Sequence, residues 1–349
     1  MKTLSRTVCI LTWVVFAWAS KSEAAHTKVY VANQGSNTVT VIDDQRVTAM
    51  TKARAGSTPG AENARVAKPN FAVVATIDVG SNPIAVGMSA DGTLAYVANL
   101  NSNNLSVIDT ESDQVIGTVN GGPTPRDVDA TPDGRYLLVV NQSTNRVTVL
   151  DASDYTVIAS IPVGTFPCAI SIAPDGSAAY VTNRMSNNVS IIDLTTFAVV
   201  NVAVGTFACD VMVSPDSHWA IVTNRLSGNV TIIDASTKLV VATVATGTNP
   251  QGVDFSADSS KAYVTNASTT SVIDMGSLTV TETIASLPSG TCAVGATMDM
   301  NQGDQGRLYV ASNTQSGVVN VVDVGTNEIV ESFSVGVRPL GIGIRTWPK

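Results

Sequence analysis

Cys168, Cys209 and Cys292 each close a segment that begins Gly-Thr: Gly164-Thr165-Phe166-Pro167-Cys168, Gly205-Thr206-Phe207-Ala208-Cys209 and Gly290-Thr291-Cys292. Three thiols in one register have three readings. Cys serves as a small apolar filler copied between repeats. Alternatively, Cys168 and Cys209 pair as a disulfide, which requires Cα atoms within about 4.4 to 6.8 Å and leaves Cys292 as an odd thiol. In the third reading Cys168, Cys209 and Cys292 form a soft-metal or redox site, since thiolates select Cu(I) or Zn, with Met185 as a thioether neighbour. The residues leave all three open.

Arg126, Arg184, Arg225 and Arg338 are cations suited to a carboxylate or phosphate. Asp127 and Asp210 directly follow Arg126 and Cys209. They are either partners of those arginines or, in an enzyme, candidate bases beside oxyanion-stabilising guanidiniums. Phe166 and Phe207 offer a ligand an apolar wall or pack beneath the loops, and Gln251 completes the candidate ligand-binding set. His is scarce: His26 and His218 are the only two in the chain. That disfavours His-based zinc or haem ligation and leaves few bases that work at neutral pH.

The chain has 28 acidic against 20 basic residues, a net charge of -8, so its summed field disfavours nucleic acid and anionic membranes. Residues 1–24 read as a secretory leader: Lys2 and Arg6, an apolar run over 8–19, then Ser22-Glu23-Ala24 as a small-x-small cleavage site. The run is too short for a comfortable membrane span. The mature chain, 25–349, is expected to be a periplasmic or secreted, cell-surface protein with three cysteines in an oxidising compartment.

What must position these residues is a repeat with a period of about forty residues. Tyr-Val-(Ala/Thr)-Asn or a close variant recurs seven times, starting at Tyr30, Tyr96, Leu138, Tyr180, Ile221, Tyr263 and Tyr309, and an Asp follows in step at Asp43, Asp109, Asp151, Asp193, Asp234, Asp274 and Asp323. Each unit holds four short Val/Ile-rich runs between Gly, Asn, Asp and Pro signals, hence four antiparallel strands. Strands apolar on both faces require a sheet covered on both sides, and radial stacking supplies that cover. The spacing predicts an all-β, seven-bladed β-propeller with four antiparallel strands per blade. The C-terminal strand should pair into the N-terminal blade to close the ring. Residues 44–70 read as a flexible insertion or, alternatively, a lid or docking arm. The repeated aspartates read as turn formers.

Tyr180-Val181-Thr182-Asn183, Ser186-Asn187-Asn188-Val189-Ser190 and Ser214-Pro215-Asp216 resemble the YVTN-type repeat of exported bacterial and archaeal β-propellers. The resemblance covers about residues 28–344. It implies the fold and an exported protein, mostly without an assigned reaction, and a relation to the lactonase-type propellers; it does not choose among functions.

Strand order places all the loops that lead into the innermost strands on one face, together with the loops between second and third strands. That face is expected to bind a small anionic ligand, a metal or another exported protein, with no cofactor beyond a thiolate-bound metal and with the chain as a monomer. A lactonase-like hydrolase or lyase using Asp127 or Asp210 at the same face is the alternative.

Overall fold

The computed structural model describes residues 27–45, 70–285, 293–298 and 307–346. They form seven four-stranded antiparallel sheets arranged as the blades of a propeller. The fourth blade is representative, with strands Pro167–Ile172, Ala178–Asn183, Asn188–Asp193 and Val199–Ala203 from the axis outwards. Its two middle strands are buried on both faces: Tyr180, Val181, Ile191 and Ile192 have almost no exposure. Tyr180, Val189 and Ile191 pack on Val211, Val222 and Ile233 of the next blade. Burying such a side chain is worth roughly 1.5–3 kcal/mol, so the blade interfaces, rather than any single sheet, hold the ring.

The ring closes as the repeat predicts. Pro339–Thr346 is the innermost strand of the blade whose other strands are Thr27–Asn33, Thr38–Gln45 and Asn70–Asp78. Of the insertion, residues 46–69 lie outside the described residues, as does the leader. The edges of the insertion are strand rather than loop: Asp44 pairs with Phe71 and Gln45 with Asn70. Those strand ends stand away from the Asn33 and Thr38 end of the blade, so they border the face opposite the mouth loops.

The repeated polar residues shape turns. Asp193 Oδ1 accepts the backbone N–H groups of Thr195 and Thr196, at 3.0 and 2.8 Å, and Asp234 does the same for Thr237. The Asn that closes most second strands braces the following loop: Asn183 Nδ2 donates to Asn188 Oδ1 and Ser190 Oγ, both at 2.9 Å. Its side chain lies against Gly164, where a Cβ would come within 2.5 Å of Asn183 Cγ. The short step into this innermost strand therefore needs glycine for clearance.

A cationic arc at the mouth of the central channel

The loops that lead into the fourth and fifth innermost strands fold by the same rules. Phe166 and Phe207 sit in the left-handed region, with φ 58° and 63°. Each is held there by an Asn of the preceding blade: Phe166 N–H donates to Asn145 Oδ1 and Phe207 N–H to Asn187 Oδ1, both at 2.8 Å. Their carbonyls accept the backbone N–H of Arg184 and Arg225, at 3.1 and 3.0 Å. The loop between second and third strands is thereby zipped to the loop beside it, and the arginine is fixed at its base.

From there Arg184 turns towards the axis. Its Nη2 lies 2.8 Å from Cys168 Sγ and 3.9 Å from Cys209 Sγ. Its Cζ stands 4.7 Å from the Phe207 ring centroid and 6.0 Å from that of Phe166, while Arg225 Cζ is 5.8 Å from the Phe207 centroid. Arg126, on the innermost strand of the third blade, is also beside Cys168, whose sulfur helps hold the guanidinium in its charged form. Arg126, Cys168, Arg184, Cys209, Arg225 and Gln251 thus follow one another around one side of the mouth, over four adjacent blades. All six line a cavity of about 660 Å³ that fills the channel. Arg184 Nε, Arg225 Nε and Gln251 Nε2 are buried there without a hydrogen-bond partner.

Cys168 and Cys209 are free thiols in the structure, so of the three readings the disulfide is the one it does not show. The Arg184 guanidinium approaches both sulfurs. Cys209 is pushed up to about 11, chiefly by burial and then by the neighbouring Cys168. Among the described residues no group of three or more His, Cys, Asp or Glu could hold a metal ion. Met185 is 56 % exposed and is not among the cavity-lining residues; Cys292 lies outside the described residues.

Asp127 and Asp210 line the cavity but make no ion pair with the arginines. Asp127 accepts the N–H of Ile170 on the next innermost strand at 2.9 Å and of Val128 at 2.9 Å. Asp210 does likewise with Val253 at 3.0 Å and Val211 at 2.9 Å. They are staples between blades. Desolvation by the channel walls pushes Asp127 up to about 6 and Asp210 up to about 7.

Sequence reasoning missed Asp129, which repeats this staple on Ile172 N–H at 2.9 Å and is raised to about 7, chiefly by desolvation. The i, i+2 spacing from Asp127, which puts both on one face of a strand, was the available signal. Also missed was the apolar wall opposite, where Ile84, Val86, Leu340 and Ile342 line the cavity. Arg338 does not join the arc: it is exposed and does not line the cavity. Phe166 and Phe207 likewise do not line it; their rings face the arginines. His218 is exposed on the turn before Trp219, at the end of its blade remote from the mouth.

Fold and site together define a seven-bladed β-propeller with a half-ring of cations at one channel mouth. The family model "Lactonase, 7-bladed beta-propeller" matches residues 20–158, and that of the "Cytochrome D1 heme domain" matches residues 137–254. Each spans less than half of the chain. No curated protein matches it. Among solved structures, a functionally unknown protein from Desulfotomaculum acetoxidans is similar with a TM-score of 0.72 at 17% identity, covering 91% of this chain and 98% of that one. The Kuenenia stuttgartiensis hydrazine synthase gives 0.66 at 20% identity, covering 76% and 95%. Dihydro-heme d1 dehydrogenase NirN gives 0.58 at 18% identity, covering 90% and 74%. At these identities the likeness is one of fold. No helix among the described residues is long and apolar enough to cross a membrane.

Proposed function

We propose that the protein is an exported propeller that binds a small anionic ligand in the channel mouth. One observation carries this reading: three guanidiniums line one cavity with no carboxylate among the described residues paired to them, and two of their Nε–H groups are buried without an acceptor. Half-buried guanidiniums without a carboxylate partner leave positive charge uncompensated at the cavity wall, and an anion that accepts from Arg126, Arg184 and Arg225 supplies the counter-charge. The apolar wall at Ile84 and Leu340 gives the body of such a ligand a surface to lie on. The leader-like N-terminus supports export.

A hydrolase with Asp127 or Asp210 as base is the weaker reading. Their raised basicity suits the role, but each carboxylate already joins two blades through backbone N–H groups. A haem ligated through imidazole does not fit this mouth, because His218, the one described His, stands at the other end of its blade. The likeness to haem-binding propellers supports the present reading only through the arginines, which suit the carboxylates that such a macrocycle carries.

Thermal unfolding tests the proposal. Citrate or inorganic phosphate, compared with chloride at equal ionic strength, should raise Tm; at a hundredfold excess over Kd the stabilisation is about 2.7 kcal/mol. The double variant Arg184→Gln/Arg225→Gln should lose that rise. An equal rise in the variant, or none in the native protein, would show that the arc is not an anion site.

A further inference from the structure

Among the described residues, the fourth and fifth blades carry the same mouth module twice, and no other blade carries it. At the left-handed position of the loop, where these two have Phe166 and Phe207, other blades have Asn82, Thr124, Asn249 and Arg338. After the second-strand Asn or its equivalent, where these two have Arg184 and Arg225, the others have Gln34, Leu100, Gln142, Ala267 and Asn313. A bulky aromatic at positive φ is strained where Asn is tolerated. What the strain secures here is position: the Phe207 ring has Arg184 Cζ 4.7 Å and Arg225 Cζ 5.8 Å from its centroid. The sum of those two distances is the upper bound on the separation of the two cations.

Two fixed guanidiniums that close, about a Debye length or less apart, repel one another. An anion with a single charged group relieves one of them and leaves the other as it was. From the duplicated module we infer that the ligand carries two separated anionic groups, one for each of the guanidiniums that flank Phe207, as a dicarboxylate does. The inference rests on the anion-binding reading above and deepens it. Each module presents the same group to its anion, a guanidinium that lines the cavity. A two-headed ligand is therefore met by two like subsites, with Arg126 at the near end of the arc.

Calorimetric titration of the whole protein at pH 8 tests this with butyrate, inorganic phosphate and the series from malonate to adipate. Phosphate then holds its double charge on one group, so it separates total charge from spacing. The best dicarboxylate should bind at least about tenfold tighter than butyrate or phosphate, as a second charge-assisted contact allows. Arg225→Gln should bring that dicarboxylate down to the butyrate level. Arg225→Lys, which keeps a point charge without the fork, should retain part of the preference and guards against misreading a folding defect. If butyrate or phosphate matches the best dicarboxylate, the two-headed ligand is overturned while anion binding stands. If none of the probes binds, both fall.

Discussion

Arg184 touches four residues of the mouth, Phe166, Phe207, Cys168 and Cys209. Its backbone is zipped to Phe166, its guanidinium faces Phe207, and its Nη2 approaches both Cys168 and Cys209. The thiols beside it are free, and this is open to direct measurement. Denaturing alkylation without reductant, mapped by peptide mass, should label Cys168 and Cys209. In the native protein at pH 8, Cys209 should be modified slowly, because a thiol pushed up to about 11 carries little thiolate there. A Cys168–Cys209 peptide pair two hydrogens lighter would refute the arrangement. The membership of the arc is readable wherever register alone settles it: Cys168, Cys209, Gln251 and Arg126 hold the same place in successive units. Register says nothing about where a side chain turns once its backbone is placed. Arg338, on a loop equivalent to that of Phe166, groups with the arc by sequence and is exposed in the structure. Adjacency in sequence suggests the aspartates as partners of arginines, whereas their oxygens accept backbone N–H groups across the blade interface.

The innermost strands are joined by two kinds of stitch. One is the carboxylate staple of Asp127, Asp129 and Asp210. The other is the Thr of the second strand: Thr182 Oγ1 accepts from Ala169 N–H at 3.0 Å and donates to the Cys209 carbonyl at 3.2 Å, and Thr223 Oγ1 links Asp210 N–H to the Gln251 carbonyl at 3.0 and 3.1 Å. Thr occurs at this place in the fourth, fifth and sixth blades, where Cys168, Cys209 and Gln251 must be set; the first and second have Ala32 and Ala98. Variation within the repeat thus tracks three of the four blades of the arc; the third blade, which carries Arg126, has Val140 at this place. The staples also have a pH signature. A carboxyl at about 7 in the folded chain and 3.8 when unfolded contributes stability below 3.8 that is lost as pH rises towards 7. The turn aspartates run the other way: Asp234, held at about 2 by Ser236 and Thr237, contributes above 3.8 and loses that contribution on acidification. Stability should therefore peak near pH 4 and fall from there towards pH 7. Asp210→Asn should flatten the decline above the peak, by on the order of 2 kcal/mol between pH 5 and 8. Urea denaturation at stepped pH measures it, and an unchanged slope would show that Asp210 is not raised.

For the molecule as a whole, the fold was almost entirely legible, because seven copies of one pattern report the same unit repeatedly and two markers agree on the count. The closing blade was legible for the same reason, as a unit divided between the two ends of the repeat array. What repetition cannot show is the contact that occurs once. Lys28 Nζ lies 2.7 Å from Asp113 Oδ2, and Tyr30 Oη donates to Asp113 Oδ1 at 2.7 Å, tying the closing blade to its neighbour with both members of the ion pair largely buried. Asp113→Ala should lower stability by roughly 3 kcal/mol, since removing one partner leaves a buried charge. A urea midpoint within error of the native value would show that the tie is dispensable.

The division of that blade also sets a timetable. A ribosome finishes Thr27–Asn33 long before it makes Pro339–Thr346, so the first strand synthesised waits with one flank bare until nearly the whole chain has been made. Throughout that interval the flank is open to any extended segment that passes. The blade begun by Thr27–Asn33 is in this sense completed only by Pro339–Thr346.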